Sequence, residues 1–364
     1  MYQERLSKLI ETLQREGQSA SILTDPLSIR YFTGYYVEPG ERFYALVIKA
    51  NSSGEFIINN LFPKPNLNGL LNDQIDVVGF TDGEPVVESL AKHLGQGTIG
   101  VDKFMDAHFL LELMAANNKL NFVNGSIVTD GIRAVKSPEE IDLMKQASAI
   151  NDQAMEKIWE FLKEGPTERQ AVDRLLEIYQ ELGADGPSFE PIIAYGANGA
   201  DPHHLTNDDL PQVGDSIVID IGCMYKGYAS DMTRTVFYGE ASQEAREVYE
   251  TVRLANQAGI DAISKGASYA SLDKAARDVI MDAGYGPYFT HRLGHFIGQE
   301  AHEHGDVGQH NPQPVQEGHV FSIEPGIYLP GNVGVRIEDL VAITADGPKV
   351  LNHVTKELTI LSLD

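Results

Sequence analysis

Cysteine, cationic charge and long apolar runs are all scarce in this chain. Lys and Arg total 28 against 53 Asp and Glu, a formal net charge of −25 at pH 7, so nothing resembles the basic footprint that nucleic-acid phosphates require. The acid excess serves solubility, and part of it is available to hold cations. A single cysteine, Cys223, rules out an internal disulfide and fits a reducing cytoplasm. Its place beside Gly222 in a hydrophobic stretch makes it a core residue rather than a nucleophile. No apolar run reaches the roughly 18 residues of a membrane helix, and the opening MYQERLSKLIETLQ is charged and amphipathic, unlike a signal peptide. A P-loop fingerprint is missing too. The segment GANGAD at Gly196 to Asp201 lacks the Lys-Ser/Thr of a phosphate cradle and reads as a loop.

What the chain does contain is four carboxylates set in two matched hairpins. Asp220 and Asp231 lie in QVGDSIVIDIG and the following ASDMTRTV; Glu324 and Glu338 lie in QEGHVFSIEPG and VGVRIEDLV. Folding the first hairpin about Tyr225/Lys226 sets Asp220 opposite Asp231, and folding the second about Gly331 sets Glu324 opposite Glu338. Like charges directly opposed on a ladder destabilise it, so two such pairs call for cations between them.

The hairpins also resemble each other. Gln212, Gly214, Ile219, Asp220 and Gly222 correspond in order and spacing to Gln316, Gly318, Ile323, Glu324 and Gly326. Two capped amphipathic helices precede each one. Capping boxes at Ser137-Pro138-Glu139-Glu140 and Thr167-Glu168-Arg169-Gln170 open the first pair. The second pair is expected from Ser242 to about Lys265 and from Ser271 to Ala283. A helix-helix-hairpin unit used twice implies two halves about a pseudo-two-fold, each giving one acidic pair to a shared site. Close by, THRLGHFIGQEAHEHG holds His291, His295, His302 and His304. The His-Glu-x-x-His zinc helix is absent, and Gly294 and Gly298 favour an extended segment. Beside four converging acids, His295 becomes a fifth candidate ligand.

The ordered set Asp220, Asp231, His295, Glu324 and Glu338, in the contexts VIDIG, SDMTRT, GHFIG, SIEPG and VRIED, resembles the dinuclear pita-bread metallopeptidases: methionine aminopeptidase, aminopeptidase P and prolidase. Creatinase shares that fold without the ligands, so the intact set argues against it and against a metal-free binding protein. The resemblance runs from about Ser137 to the C-terminus. It implies an α/β chain of α+β type, with a pseudo-two-fold catalytic domain over 131–364 around a mainly antiparallel central sheet. Residues 1–130 have their own α/β rhythm. Helical spacing runs from Tyr2 to about Glu16, strands at 20–23, 43–50, 55–59, 75–80 and 98–101, and helices near 86–94 and 106–117. LTDPLSIRYFTGY is similar to the start of the creatinase-like N-terminal domain that accompanies aminopeptidase P and prolidase. Asn124 to Lys136 reads as the linker.

By the same resemblance, Asp231 and Glu338 bridge two divalent ions, Asp220 completes one, and His295 with Glu324 completes the other. Mn²⁺ stands first, with Co²⁺, Zn²⁺ and Fe²⁺ as alternatives suited to oxygen-rich ligands and one imidazole. A hydroxide held between the ions attacks the scissile carbonyl, and Glu324 shuttles the proton to the leaving amine. His203 matches a substrate-contacting position, with His204 the less favoured neighbour; His302 matches the residue that meets the tetrahedral intermediate, and His291 one that lines the pocket after the scissile bond. Arg336 shares a strand face with Glu338 and orients that carboxylate or holds a substrate carboxylate. Tyr195 and Tyr228 are core by default. The compact length and the TGYYVEPGERF segment are closest to the bacterial Xaa-Pro dipeptidases, which implies a small peptide substrate with proline after the scissile bond. Aminopeptidase P action on longer peptides, or another amidohydrolase of the same fold, is the alternative. A homodimer is implied, in which the loop Tyr35 to Arg42 of one chain walls the other's site; the bland reading of that loop is a solvated connection.

Overall fold

Amphipathic periodicity builds the first unit. The structure is a computed structural model that describes every residue except Pro202, His203, Lys265 and Asp364. Contacts within the chain divide it into Met1–Arg133 and Ala134–Asp364. In the first unit, helix α1 (Tyr2–Arg15) buries Leu6, Leu9, Ile10 and Leu13, the i, i+3, i+4, i+7 stripe of a core-facing helix. There follow β1 (Ala20–Leu23), α2 (Pro26–Thr33), β2 (Ala45–Lys49), β3 (Gly54–Asn59), β4 (Ile75–Phe80), α3 (Val86–His93), β5 (Gly97–Val101), α4 (Ala107–Ala116), β6 (Leu120–Asn124) and α5 (Ser126–Ala134). One mixed sheet results, in the order β4-β3-β2-β1-β5-β6.

Three of these elements depart from the sequence reading. Helix α2 carries plain start signals, an Asp25 side chain that accepts from Leu27 and Ser28 and a proline at its first position. Strand β6 pairs in parallel with β5. The stretch expected as an open linker is instead helix α5, whose Val128 joins the core formed by Leu6, Leu9 and Phe32. Ser126 and Thr129, both buried, make its inner face look polar in the sequence.

The second unit uses one motif twice. Helices α6 (Pro138–Leu162) and α7 (Glu168–Leu182) precede β7 (Gly186–Pro187), β8 (Ile192–Tyr195), β9 (Ser216–Ile221), β10 (Cys223–Tyr225), β11 (Tyr228–Ala229) and β12 (Met232–Tyr238). Helices α8 (Gln243–Asp261) and α9 (Tyr269–Asp282) precede β13 (Gly294–Phe296), β14 (Glu303–Val307), β15 (Val320–Ile323), β16 (Gly326–Tyr328), β17 (Gly334–Arg336), β18 (Asp339–Thr344), β19 (Gly347–Val350) and β20 (Ile360–Leu361). The main sheets are β20-β12-β9-β8 and β14-β13-β15-β18-β19, antiparallel throughout except at β12/β20. Each helix pair covers its own sheet: Met155, Ile158 and Leu175 pack on Ile219 and Val236, while Val252, Leu272 and Ala276 pack on Phe321 and Val341. Both expected capping boxes form. The cap of α9 is Ser268 rather than Ser271, because the Ser268 hydroxyl accepts the Ser271 N–H and the Ser271 hydroxyl turns back to the Ser268 carbonyl. None of the described helices is long and apolar enough to cross a membrane.

Register places the acids. Ile323 faces Asp339 and Gly326 faces Arg336, so Glu324 and Glu338 stand opposite each other as expected. The first hairpin is displaced by two residues: Asp220 faces Thr233, not Asp231. Its turn is centred on Lys226 and Gly227, with φ of 49° and 81°, the paired positive φ of a two-residue type I′ turn. A slip of two leaves every side chain on its original face, so Asp231 still points to the same side as Asp220 but one step along the ladder.

Close backbone approaches hold this arrangement. A Cβ on Gly294 would come within 1.9 Å of the Ser322 carbonyl, and one on Gly334 within 1.7 Å of the Gly199 carbonyl. Gly294→Ala and Gly334→Ala should each lower the melting temperature more than loss of the Ser137 cap, itself worth about 1 kcal/mol. Thermal unfolding of the three variants checks this; a smaller loss at either glycine would mean that the backbone yields there.

Candidate metal centre

The two hairpins and β13 bring all five expected ligands into one cavity of about 460 Å³. Asp220 comes from β9, Asp231 from the step between β11 and β12, and His295 from β13. Glu324 and Glu338 come from the steps between β15 and β16 and between β17 and β18. His295 Nε2 lies 3.4 Å from Asp231 Oδ2, 3.5 Å from Glu324 Oε1 and 3.9 Å from Glu338 Oε1. Donor atoms of Asp231, His295 and Glu338 all fall within 4.8 Å of one another, and the three residues are buried.

These groups fit divalent cations on three counts. Asp220 Oδ1, Asp231 Oδ1 and Glu338 Oε1 are buried without a hydrogen-bond partner, a state that costs free energy unless something else meets them. Burial raises the Asp231 carboxyl to about 6 and the Glu324 carboxyl to about 7, and pushes Glu338 well above its usual range. The imidazole is also oriented for ligation. His295 Nδ1 lies 3.2 Å from the Phe296 carbonyl, which only accepts, so the proton belongs on Nδ1 and the Nε2 lone pair faces the carboxylates.

Arg336 organises the remaining groups. Its Nη2 donates to Asp220 Oδ2 at 2.6 Å, its Nε to Thr233 Oγ1 at 3.1 Å and its Nη1 to the Tyr328 hydroxyl at 2.9 Å. Thr233 in turn donates to Glu338 Oε2 at 2.9 Å. The guanidinium therefore holds Asp220 directly and reaches Glu338 only through Thr233. His291 Nδ1 lies 2.7 Å from the Arg292 carbonyl and Nε2 2.9 Å from the Tyr328 hydroxyl. Burial, with the nearby arginines, lowers this imidazole to about 4, so it is neutral, donating through Nδ1 and accepting through Nε2. His302 also lines the cavity, its ring centred 4.0 Å from that of His295 at 88°.

Other expected positions fall elsewhere. His203 lies outside the described residues. His204 Nε2 sits 2.7 Å from Glu168 Oε2, a fully buried carboxylate that also receives the Tyr195 and Asn207 N–H groups. Tyr195 and Tyr228 are buried and bonded to the Pro166 carbonyl and to Glu140, as core residues. Thr233 and Tyr328 went unremarked in the sequence. Both could have been found from strand alternation, since Thr233 is two residues from Asp231 and Tyr328 four from Glu324, on the same faces.

Comparison with known proteins agrees with this architecture. Residues 142–345 match the model of metallopeptidase family M24, and residues 5–135 that of the creatinase/prolidase N-terminal domain. An Xaa-Pro dipeptidase of Lactobacillus helveticus is 37% identical over 367 residues, covering 98% of this chain and 99% of its own. Among solved structures, a prolidase from Thermococcus sibiricus superposes with a TM-score of 0.91 at 31% identity, covering 99% of each chain. A dipeptidase from Pyrococcus horikoshii gives 0.90 at 34% identity, over 98% of this chain and all of that one.

The raised carboxyls fix the sign of a pH effect. A carboxyl whose folded value lies above its unfolded value stabilises the fold while protonated, and that contribution is lost as pH rises through the folded value. Stripped of metal, the protein should therefore lose thermal stability between about pH 5 and pH 8, and added Mn²⁺ should restore more of it at the upper end. Asp231→Asn/Glu324→Gln should flatten the metal-free profile, separating this effect from general repulsion among surface acids. A metal-free melting temperature that is level or rising over that window in the unsubstituted protein would contradict the argument.

Proposed function

The chain belongs to metallopeptidase family M24, and from that premise we propose that it is a cytoplasmic, homodimeric Xaa-Pro dipeptidase that works with two divalent ions, manganese first. The observation that carries this reading is the convergence of His295 and four carboxylates with three carboxylate oxygens left unpaired. Asp231 and Glu338 would bridge the ions, Asp220 would complete one, and His295 with Glu324 the other. When bound, the ions supply a water that ionises near neutral pH and a Lewis acid for the scissile carbonyl.

The chain's own residues do the rest. Glu324 keeps 17% of its side chain exposed in the cavity while Asp231 and Glu338 are sealed at 5% and 2%. Asp220, at 15%, is held by Arg336, so the role of taking a proton from the attacking water and passing it to the leaving amine is assigned to Glu324. His302 meets the oxyanion that develops on the carbonyl, and His203 contacts the substrate. Both nitrogens of His291 are occupied, so the face of its ring, with Phe189 and Ile192, offers an apolar wall for proline. Arg336 is engaged by three neighbours and acts by orienting Asp220 more than by reaching substrate.

Size selection belongs to the loop Tyr35 to Arg42, proposed to approach the partner's cavity. It forms no helix or strand; Arg42 is braced by Asp82 and Glu41, and Glu38, which accepts from the Tyr36 hydroxyl, is the charge assigned to meet a peptide terminus.

Two outcomes are expected. Asp231→Asn and Glu338→Gln should abolish Leu-Pro hydrolysis and lower bound metal together, as measured by elemental analysis beside the assay. Full activity in excess chelator would remove the two-metal reading. On specificity, metal-loaded enzyme should cleave Leu-Pro at least about ten-fold faster than a Xaa-Pro tripeptide, a difference of about 1.4 kcal/mol. Shortening Val37 to Glu41 should narrow that ratio at unchanged metal content. Equal turnover of both peptides by the intact enzyme would move the assignment to aminopeptidase P.

A further inference from the structure

The turn that carries His302 is fixed by a buried ion pair outside the ligand set. Strands β13 and β14 flank this turn, and their register shifts after His295: Gly294 faces Val307 and His295 faces Asp306, but Phe296 faces Glu303. A bulge of this kind interrupts the ladder, so the turn needs other restraints. Glu303 supplies them. Its Oε1 accepts the Gln299 N–H at 3.0 Å, its Oε2 receives Lys136 Nζ at 2.9 Å, and its carboxylate lies where a Cβ on Gly298 would be 2.6 Å away. The far side of the turn is tied to the first hairpin, since the Ala229 N–H donates to the Gly298 carbonyl at 2.8 Å, two residues before Asp231. Lys136 is itself anchored by its N–H to the Gly318 carbonyl at 2.7 Å.

Lys136 and Glu303 side chains are only 1% and 5% exposed. Removing an ion pair this deep from water costs about as much as the pair returns, and apolar residues of similar volume often do as well. Stability is therefore a weak reason for charge here, whereas a fixed geometry is a direct one. Glu303 adjoins His302, whose imidazole stands against that of His295 on the cavity side. We propose that Lys136 and Glu303 are positioning residues for His302: the pair locks the turn so that the imidazole stands where charge develops on the substrate. This deepens the peptidase reading and rests on it.

The test compares His302→Ala, Lys136→Met, Glu303→Leu and the double variant Lys136→Met/Glu303→Leu in metal-loaded enzyme with Leu-Pro. Each single change of the pair removes the opposite charge beside a buried one and should lower the melting temperature, while the double variant should regain most of that loss. Its kcat should nevertheless stay about ten-fold or more below native, as expected of a misplaced group, with KM and metal content close to native. Adding His302→Ala to the double variant should slow it little beyond His302→Ala alone, because both act through one imidazole. Native kcat in a folded double variant, or fully additive losses in the triple, would overturn the positioning role while leaving the peptidase reading intact. Unchanged kcat in His302→Ala itself would remove His302 from turnover and this proposal with it. Should the double variant not fold, Glu303→Asp keeps the charge and shortens its reach; lowered kcat at native metal content is the expected result, and native kcat the overturning one.

Discussion

Three carboxylates held within 3.9 Å of one imidazole, with a fourth, Asp220, lining the same cavity, set the constraint around which the second unit is built. Neighbouring acids show how differently the two faces of one strand treat charge. Asp339 is fully buried, and although burial opposes ionisation, Arg234 and Lys356 hold it below the usual carboxylate range. Glu338, one residue earlier and on the opposite face, is driven well above that range by burial and by the acids beside it. One face has its cations built into the chain. The other has Arg336 against Asp220, and leaves Asp231, Glu324 and Glu338 to be neutralised by protons or by metal.

The scaffold answers that constraint with rigidity behind the acids. Arg234 donates to the carbonyls of Thr233 and Glu338 and to Asp339, clamping β12 of the first half to the start of β18 in the second, beside Glu338. Each half also lends a buried asparagine from its first helix: Asn151 donates to the Ile221 carbonyl, beside Asp220, and Asn256 to the Ile323 carbonyl, beside Glu324. The repeated helix-helix-hairpin motif thus gives each half an acidic pair and a polar brace for its backbone. Side-chain order is what lets repelling groups be pre-positioned for cations rather than spread apart.

Much of this was legible because the informative signals were local. The proline and acids after Ser137, the capping residue at Thr167 and the two acid-bearing hairpins all lie within a few residues of the features they specify. Strand alternation then carried the acids to a common face even where the register of the first hairpin was read two residues off. That error had a local cause: the type I′ turn places its Gly at the second central position, so Lys226 rather than Tyr225 begins the reversal. Helix α5 and the cap at Ser268 were hidden for a related reason, since Ser126, Thr129 and Ser268 are polar residues whose inward or capping roles depend on neighbours distant in the chain or on a choice between two serines three apart.

Long-range polar relays were legible only where a member shares a strand face with an acid, as Arg336 does with Glu338. Arg336 joins Asp220 to Tyr328 and, through Thr233, to Glu338, crossing 116 positions in its longest step. Lys136 and Glu303 are 167 positions apart, and no periodicity links them. Such contacts arise only once both halves have folded, so chain-local chemistry can name candidate ligands and a strand-mate such as Arg336 but not the distant partners that hold them still. The asymmetry follows from the physics: ligands are constrained by charge type and spacing along strands, whereas a brace needs only a donor or acceptor that the completed fold happens to bring within about 3 Å.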